Sequence, residues 1–149
     1  MLTPTVGLTI PKLLPITGSF VAPFAGYFMF LSSRVVALRV QNEKFIENKS
    51  SDAPDDRLQA SIRSQVNFAE NIPLALAVAS IVELNGGNRK ALTAGLSVLL
   101  AARILHAECG IMLKNNLGFG RLPGFLTTQA FIMGMSGYAA YLVKGYWGF

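Results

Sequence analysis

An arginine, an asparagine and a glutamate recur at helical spacing inside an otherwise apolar stretch of this chain. Arg63, Asn67 and Glu70 lie in the sequence RSQVNFAENIP, and residues 72–82, which follow, are almost wholly apolar. A helix advances about 100° per residue, so these three side chains share one face, within roughly 60° of each other. That face would present a cation, an amide and a carboxylate in a row, whereas Gln65 would point towards a neighbouring helix.

A small zwitterion is the ligand that such a face would bind. Arg63 would hold a carboxylate, Glu70 would accept an ammonium group, and Asn67 can both donate to and accept from an amide. Glutathione fits, because it carries carboxylates, an ammonium group, amides and a thiol. An arginine near the thiol would lower its pKa, since an opposite charge favours the ionised form. A site in the bilayer would receive an apolar electrophile from the lipid.

A second group of ionisable residues lies towards the end of another apolar stretch. Arg103 and His106 share a helix face with Gly110, and Glu108 lies off that face. Arg103 offers a second clamp for a carboxylate.

A structural interpretation of both groups is the alternative. Arg63 and Glu70 would then pair with each other, or with Arg103 and Glu108, and hold helices together. Glu83, at the end of its apolar stretch, is expected to be solvated.

The composition indicates an all-α integral membrane protein. Of 149 residues, 52% are hydrophobic and 14% are charged, whereas soluble domains carry about 25% charged residues. The apolar residues form long blocks, and about 20 apolar residues cross a bilayer as a helix. The blocks predict a bundle of four transmembrane helices at about 13–38, 57–84, 90–113 and 123–143.

Several other classes of site are excluded by the sequence. The net charge of +5 does not indicate nucleic-acid binding, because the basic residues lie at the ends of the apolar blocks. Cys109 is the single cysteine, which excludes an intrachain disulfide and a multi-cysteine metal site. No phosphate-binding loop, GxSxG motif or HExxH motif occurs, and no metal is expected.

The basic residues also predict the orientation in the membrane. Seven of them flank the first and third loops and four flank the opposite side, which places those loops in the cytoplasm. The seven are Arg34, Arg39, Lys44, Lys49, Arg57, Lys114 and Arg121, and the four are Lys12, Arg89, Lys90 and Lys144. The polar halves of the second and third spans therefore meet at the cytoplasmic face.

Small and aromatic residues predict how the spans pack. Gly18, Ala22 and Gly26 in the first span, and Ala130 and Gly134 in the fourth, form small faces that another helix can approach closely. The aromatic residues of these two spans are expected to face lipid.

Two motifs carry a resemblance to a known family. The stretch RSQVNFAENIPLAL resembles the signature of the MAPEG superfamily, the membrane-associated proteins of eicosanoid and glutathione metabolism. In these proteins an Arg-x-x-x-Asn-x-x-Glu pattern begins the second span, often followed by proline. The stretch LLAARILHAE resembles their third span, and the length and layout agree. The chain is similar to the microsomal glutathione transferases, and nearer a bacterial or fungal branch than the mammalian leukotriene synthases.

The resemblance implies a homotrimer that binds glutathione between adjacent subunits at the cytoplasmic side. The positions that match glutathione-contacting residues by motif are Arg63, Gln65, Asn67, Glu70, Arg103 and His106. The candidates for stabilising the thiolate are Arg34, Arg39 and Arg121. The chain departs from the family pattern at Asn71 and Gly110, where several members have tyrosine.

The function expected is that of a glutathione-dependent membrane transferase or peroxidase, acting on hydrophobic electrophiles or lipid hydroperoxides. The alternative is a non-catalytic membrane scaffold that binds lipid or glutathione. The partners expected are further copies of the chain, membrane lipids and a hydrophobic small molecule. The location expected is the endoplasmic reticulum in a eukaryote, or the inner membrane in a bacterium.

Overall fold

The described part of the chain is helical throughout its regular structure. The computed structural model describes residues 13–41, 56–113, 118–146 and 148. Most of the predicted first loop, together with Lys12 and Lys114, lies outside these residues. The elements are α1 (Pro15–Gln41), α2 (Asp56–Leu84), α3 (Arg89–His106), a π-helical turn that continues α3 (Ala107–Ile111), α4 (Arg121–Leu142) and a 3-10 turn (Lys144–Tyr146).

Three of the four helices, α1 to α3, are long and apolar enough to cross a membrane. The fourth has 22 residues, which is also enough length for a span. Its sequence contains a single charged residue, Arg121, at the first position of the helix. α1 packs against α2, and α4 packs against both α2 and α3.

Each helix buries one stripe of residues spaced three or four positions apart, as residues on one helix face are. The stripe of α2 consists of Phe68, Ile72, Ala75, Ala79 and Val82. In α3 the stripe begins with Leu92, Leu96 and Leu99 and continues through Arg103 and His106. The periodicity that forms the apolar core therefore also buries two ionisable side chains.

A short turn of four residues, 85–88, connects α2 to α3. Gly86 adopts a φ of 79°, which suits a residue without a Cβ atom. Asn88 then caps α3, because its side-chain oxygen accepts hydrogen bonds from the backbone N–H groups of Lys90 (2.9 Å) and Ala91 (3.2 Å).

Glu83 binds the start of α1 across the bundle. Its Oε1 accepts a hydrogen bond from the Ile16 N–H (2.7 Å), and its Oε2 accepts one from the Thr17 N–H (2.8 Å). The first N–H groups of a helix have no acceptor within the helix and favour a negative charge. The expectation that Glu83 is merely solvated is therefore wrong, because its carboxylate joins the end of α2 to the start of α1.

Two aromatic residues also depart from the expected lipid-facing arrangement. Phe24 of α1 and Phe131 of α4 are both buried in the apolar core. The Phe24 ring contacts the Phe68 ring, with 6.3 Å between centroids. The prediction for spans one and four was wrong for these two residues, because each falls on the stripe that its helix turns inward.

The small-residue faces do not pack within the subunit. Gly18, Ala22 and Gly26 of α1 are exposed, as are Ala130 and Gly134 of α4. A Cβ atom added at Gly18, Gly26 or Gly134 would meet nothing within 4 Å. These faces remain available to a neighbouring molecule.

Replacing Glu83 tests its link to α1. Glu83→Ala should lower the free energy of unfolding by about 1 kcal/mol or slightly more, the usual effect of losing a helix cap. Glu83→Gln keeps one acceptor oxygen, so its free energy of unfolding should lie between those of Glu83→Ala and the unsubstituted protein. Thermal unfolding in detergent measures this order, and an alanine variant that melts like the unsubstituted protein would contradict it.

Candidate functional site

A cleft of about 1090 Å³ lies between α2, the end of α3 and the start of α4. Its polar lining consists of Arg63, Asn67, Glu70, His106 and Arg121. Its apolar lining includes Ile62, Val66, Phe119, Leu122 and Phe125. A cleft of this size with few polar groups on an apolar wall is typical of a small-molecule site.

One face of α2 supplies three of the polar groups. Arg63 and Glu70 are exposed and Asn67 is half-buried, and all three line the cleft. Among the residues that the structure describes, neither Arg63 nor Glu70 forms an ion pair. In this part of the chain they pair neither with each other nor with Arg103 or Glu108, which are the pairs that the structural interpretation would require.

Arg103 lies behind this face and does not line the cleft. Its side chain is only 2% exposed. Its Nη2 donates a hydrogen bond to Asn67 Oδ1 (2.6 Å), and its Nη1 approaches Thr128 Oγ1 (3.5 Å). Its guanidinium carbon lies 5.8 Å from the centre of the Phe68 ring, within the range of a cation–π contact. Arg103 thus joins α3 to α2 and α4.

His106 forms part of the cleft wall beside the start of α4. Its ring is almost fully buried, and Nδ1 lies 2.8 Å from the backbone oxygen of Arg121. A carbonyl oxygen can only accept, so Nδ1 carries the proton and Nε2 of the neutral ring is an acceptor. The histidine therefore offers a proton acceptor in a cleft whose two arginines can only donate.

Glycines allow the end of α3 and the start of α4 to approach closely. A Cβ atom at Gly124 would lie 2.7 Å from the Ala102 carbonyl oxygen, and one at Gly110 would lie 2.7 Å from the Arg121 nitrogen. Real Cβ atoms do not come this near to backbone. Because Gly110 has no side chain, the Arg121 backbone can lie directly against it.

A second polar cluster lies on the side of α1. Arg34 Nη1 contacts both carboxylate oxygens of Glu108 at 2.9 Å. The Tyr27 hydroxyl donates to Glu108 Oε1 at 3.0 Å. Glu108 lies on the π-helical turn, off the face of Arg103, as its spacing predicts. Glu108 is therefore one residue that does join helices, although to Arg34 and not to Arg63.

Gln65 and Arg39 also lie away from the cleft. Gln65 Nε2 donates to Ser32 Oγ of α1 at 3.1 Å, so it points towards a neighbouring helix as predicted. Arg39 is half-buried near the end of α1 and does not line the cleft. The structure thus brings five of the nine candidate residues together and separates Arg34, Arg39, Gln65 and Arg103 from them.

No direct signal in the sequence indicates the apolar wall or the partners of the buried charges. Phe119, Leu122 and Phe125 lie just before α4 or in its first turns, and no pattern in the sequence assigns them to a site. Tyr27 contacts Glu108, and Thr128 contacts Arg103. Both contacts join different helices, so they depend on how the helices pack. The glycines of residues 118–124 were the one available sign of a close approach.

These observations define a class of protein: a helical bundle with membrane-length helices and a cleft of mixed polar and apolar lining. A protein-family model described as the MAPEG family matches residues 18–141. Searches of the curated proteins and of the solved structures found no match. The family model covers most of the chain, so this chain belongs to the MAPEG family, as its motifs predict. It is a multi-pass integral membrane protein of a family of glutathione and eicosanoid metabolism, and its helices contact lipid.

A single methyl group at Gly124 should disturb the cleft. Gly124→Ala would force its Cβ atom into the Ala102 carbonyl, and such overpacking costs about 1–3 kcal/mol. Gly137→Ala, in the same helix, is the matched control, because its Cβ would meet nothing within 4 Å. Thermal unfolding in detergent should show a lower Tm for the first variant only. Equal Tm values would contradict the close approach of α3 and α4.

Proposed function

We propose that the cleft binds glutathione and that the protein is a glutathione-dependent transferase or peroxidase acting on hydrophobic substrates. The observation that carries the proposal is that Arg63, Asn67 and Glu70 of α2 converge with His106 and Arg121 on one cleft with an apolar wall. Among the described residues, neither Arg63 nor Glu70 forms an ion pair. Family membership supports it, because the family is one of glutathione and eicosanoid metabolism.

The charges of the cleft match those of glutathione. Arg63 would hold a carboxylate, and a guanidinium can do so with two parallel hydrogen bonds. Glu70 would accept the ammonium group, one helical turn from Asn67. A ligand with only one sign of charge would match either Arg63 or Glu70 and leave the other charge unmatched.

The thiol chemistry would fall to Arg121 and His106. Of the three candidate arginines, Arg121 is the one that lines the cleft, so it is the one proposed to stabilise the thiolate. His106 Nε2 would accept the thiol proton. The sulfur would then attack an electrophilic carbon, form the S–C bond and displace the leaving group with its electron pair. The wall of Phe119, Leu122 and Phe125 would hold the apolar substrate.

A homotrimer would complete the site. Gln65 and Arg34 are candidate residues that do not line the cleft. Gln65 bonds to Ser32 of α1, and Arg34, in α1, bonds to Glu108. In a trimer with glutathione between adjacent subunits, these residues would serve the pocket of a neighbouring subunit. The exposed small-residue faces of α1 and α4 suit close contacts between subunits.

Native mass spectrometry of the protein in detergent tests the assembly. We expect a mass three times that of the 16.0 kDa chain. A Cβ atom added at Gly26 would meet nothing within 4 Å, so Gly26→Leu should weaken the trimer and leave the helix content unchanged. A monomer in the unsubstituted protein would contradict the assembly.

A non-catalytic binding protein is the second candidate function. It is favoured by one observation: among the described residues, no tyrosine lines the cleft. Tyr27 is instead bonded to Glu108. Glutathione binding without turnover over a panel of electrophiles and hydroperoxides would support this candidate and contradict the enzyme.

Two variants separate binding from chemistry. Replacing both Arg63 and Glu70 with alanine should weaken glutathione binding, measured by calorimetry, about 100- to 10,000-fold, because each of the two charge-assisted hydrogen bonds contributes about 1.5–3 kcal/mol. Arg121→Ala should lower kcat with a chloronitrobenzene-type electrophile about 100-fold, with a smaller change in affinity.

The control for both is Arg89→Ala, an exposed residue at the far end of α3, which should bind and turn over normally. Undiminished turnover in the Arg63 and Glu70 double variant would refute the site.

A further inference from the structure

We propose that Arg103 is a positioning residue that fixes the side-chain amide of Asn67 with its NH2 group facing the cleft. The ligand atom bound at Asn67 must then be a hydrogen-bond acceptor. The inference rests on the proposed function, because it concerns how the same cleft selects its ligand. It assigns to Arg103 a role through Asn67 in place of direct contact with the ligand.

The contact between Arg103 and Asn67 is possible in only one orientation of the amide. A guanidinium carries only donors, so the amide atom 2.6 Å from Arg103 Nη2 is the oxygen, Oδ1. The amide is planar, which directs its nitrogen away from Arg103. That nitrogen has no hydrogen-bond partner among the described residues and is not buried. Because Asn67 lines the cleft and Arg103 does not, the NH2 group is open to the ligand.

Arg103 itself is held too firmly to release the amide. It is buried on the core stripe of α3, above the Phe68 ring and beside Thr128. Thr128 donates its own hydroxyl to the Gly124 carbonyl (2.8 Å), so its oxygen is free to accept from Arg103. In the part of the chain that is described, no carboxylate lies within ion-pair distance of Arg103. The Asn67 oxygen is therefore its strongest acceptor.

The charge of Arg103 also reaches the ligand through the amide. A hydrogen bond from a cation to the amide oxygen polarises the group and strengthens the NH2 group as a donor. Without Arg103, the side-chain amide of Asn67 could rotate by 180° and offer either its oxygen or its nitrogen to the ligand. With Arg103 present, only the donor remains available, and a ligand donor at this position would be rejected.

The first test is the stability of variants at position 67, which requires no ligand. Asn67→Asp keeps the oxygen and gives Arg103 a carboxylate, so its Tm in detergent should equal or exceed that of the unsubstituted protein. Asn67→Ala leaves Arg103 without its acceptor and should melt at lower temperature. If Asn67→Asp is destabilised as much as Asn67→Ala, Arg103 does not donate to this oxygen and the inference is wrong.

The second test is a double-mutant cycle with glutathione as the probe. Asn67→Asp should bind about 10- to 100-fold more weakly despite its stable fold, because it presents an acceptor to an acceptor. Arg103→Met should weaken binding about 3- to 10-fold alone, and less than twofold in the Asn67→Ala background. If Arg103→Met weakens glutathione binding by the same factor with Asn67 present and in Asn67→Ala, the role of Arg103 is merely structural and the proposal is wrong.

The two tests distinguish this inference from the proposed function. If the unsubstituted protein binds no glutathione, the proposed function fails and the acceptor assignment for that ligand fails with it. The stability order at position 67 still decides the orientation of the amide. If the unsubstituted protein binds glutathione normally but Asn67→Asp melts at or below the temperature of Asn67→Ala, this inference is wrong and the proposed function stands.

Discussion

A buried guanidinium joins three helices at the centre of this bundle. Arg103 occupies the stripe that Leu92, Leu96 and Leu99 begin, yet it carries a charge that water would otherwise solvate. Leaving a buried charged donor without an acceptor costs about 1–3 kcal/mol or more, so α2 and α4 must keep Asn67 and Thr128 in reach of it. The position of the α2 face, and with it the cleft, depends on this contact.

Local backbone features then open the cleft on one side of that centre. The glycines of residues 118–124 and Gly110 let α4 begin directly against the end of α3. This contact brings the Arg121 carbonyl to His106 and fixes the histidine tautomer. The π-helical turn carries Glu108 to the opposite side, where it binds Arg34 and Tyr27. His106 and Glu108 are only two residues apart, yet His106 lines the cleft and Glu108 bonds to α1.

The part of this arrangement that depends on helical periodicity could be predicted from the sequence. The positions of the helices, the shared face of Arg63, Asn67 and Glu70, and the divergence of Gln65 all follow from about 100° per residue. The partners of Arg103 and Glu83 could not be predicted, because they lie on other helices and depend on packing. The exclusion of Arg34 from the cleft has the same cause.

The most direct test of the glutathione cleft is an electron cryomicroscopy map of the protein with saturating glutathione. The account predicts density for the tripeptide between α2 and the start of α4, in contact with Arg63, Asn67 and Glu70. Density confined to another surface, or an empty cleft in which Arg63 and Glu70 pair with other side chains, would contradict it.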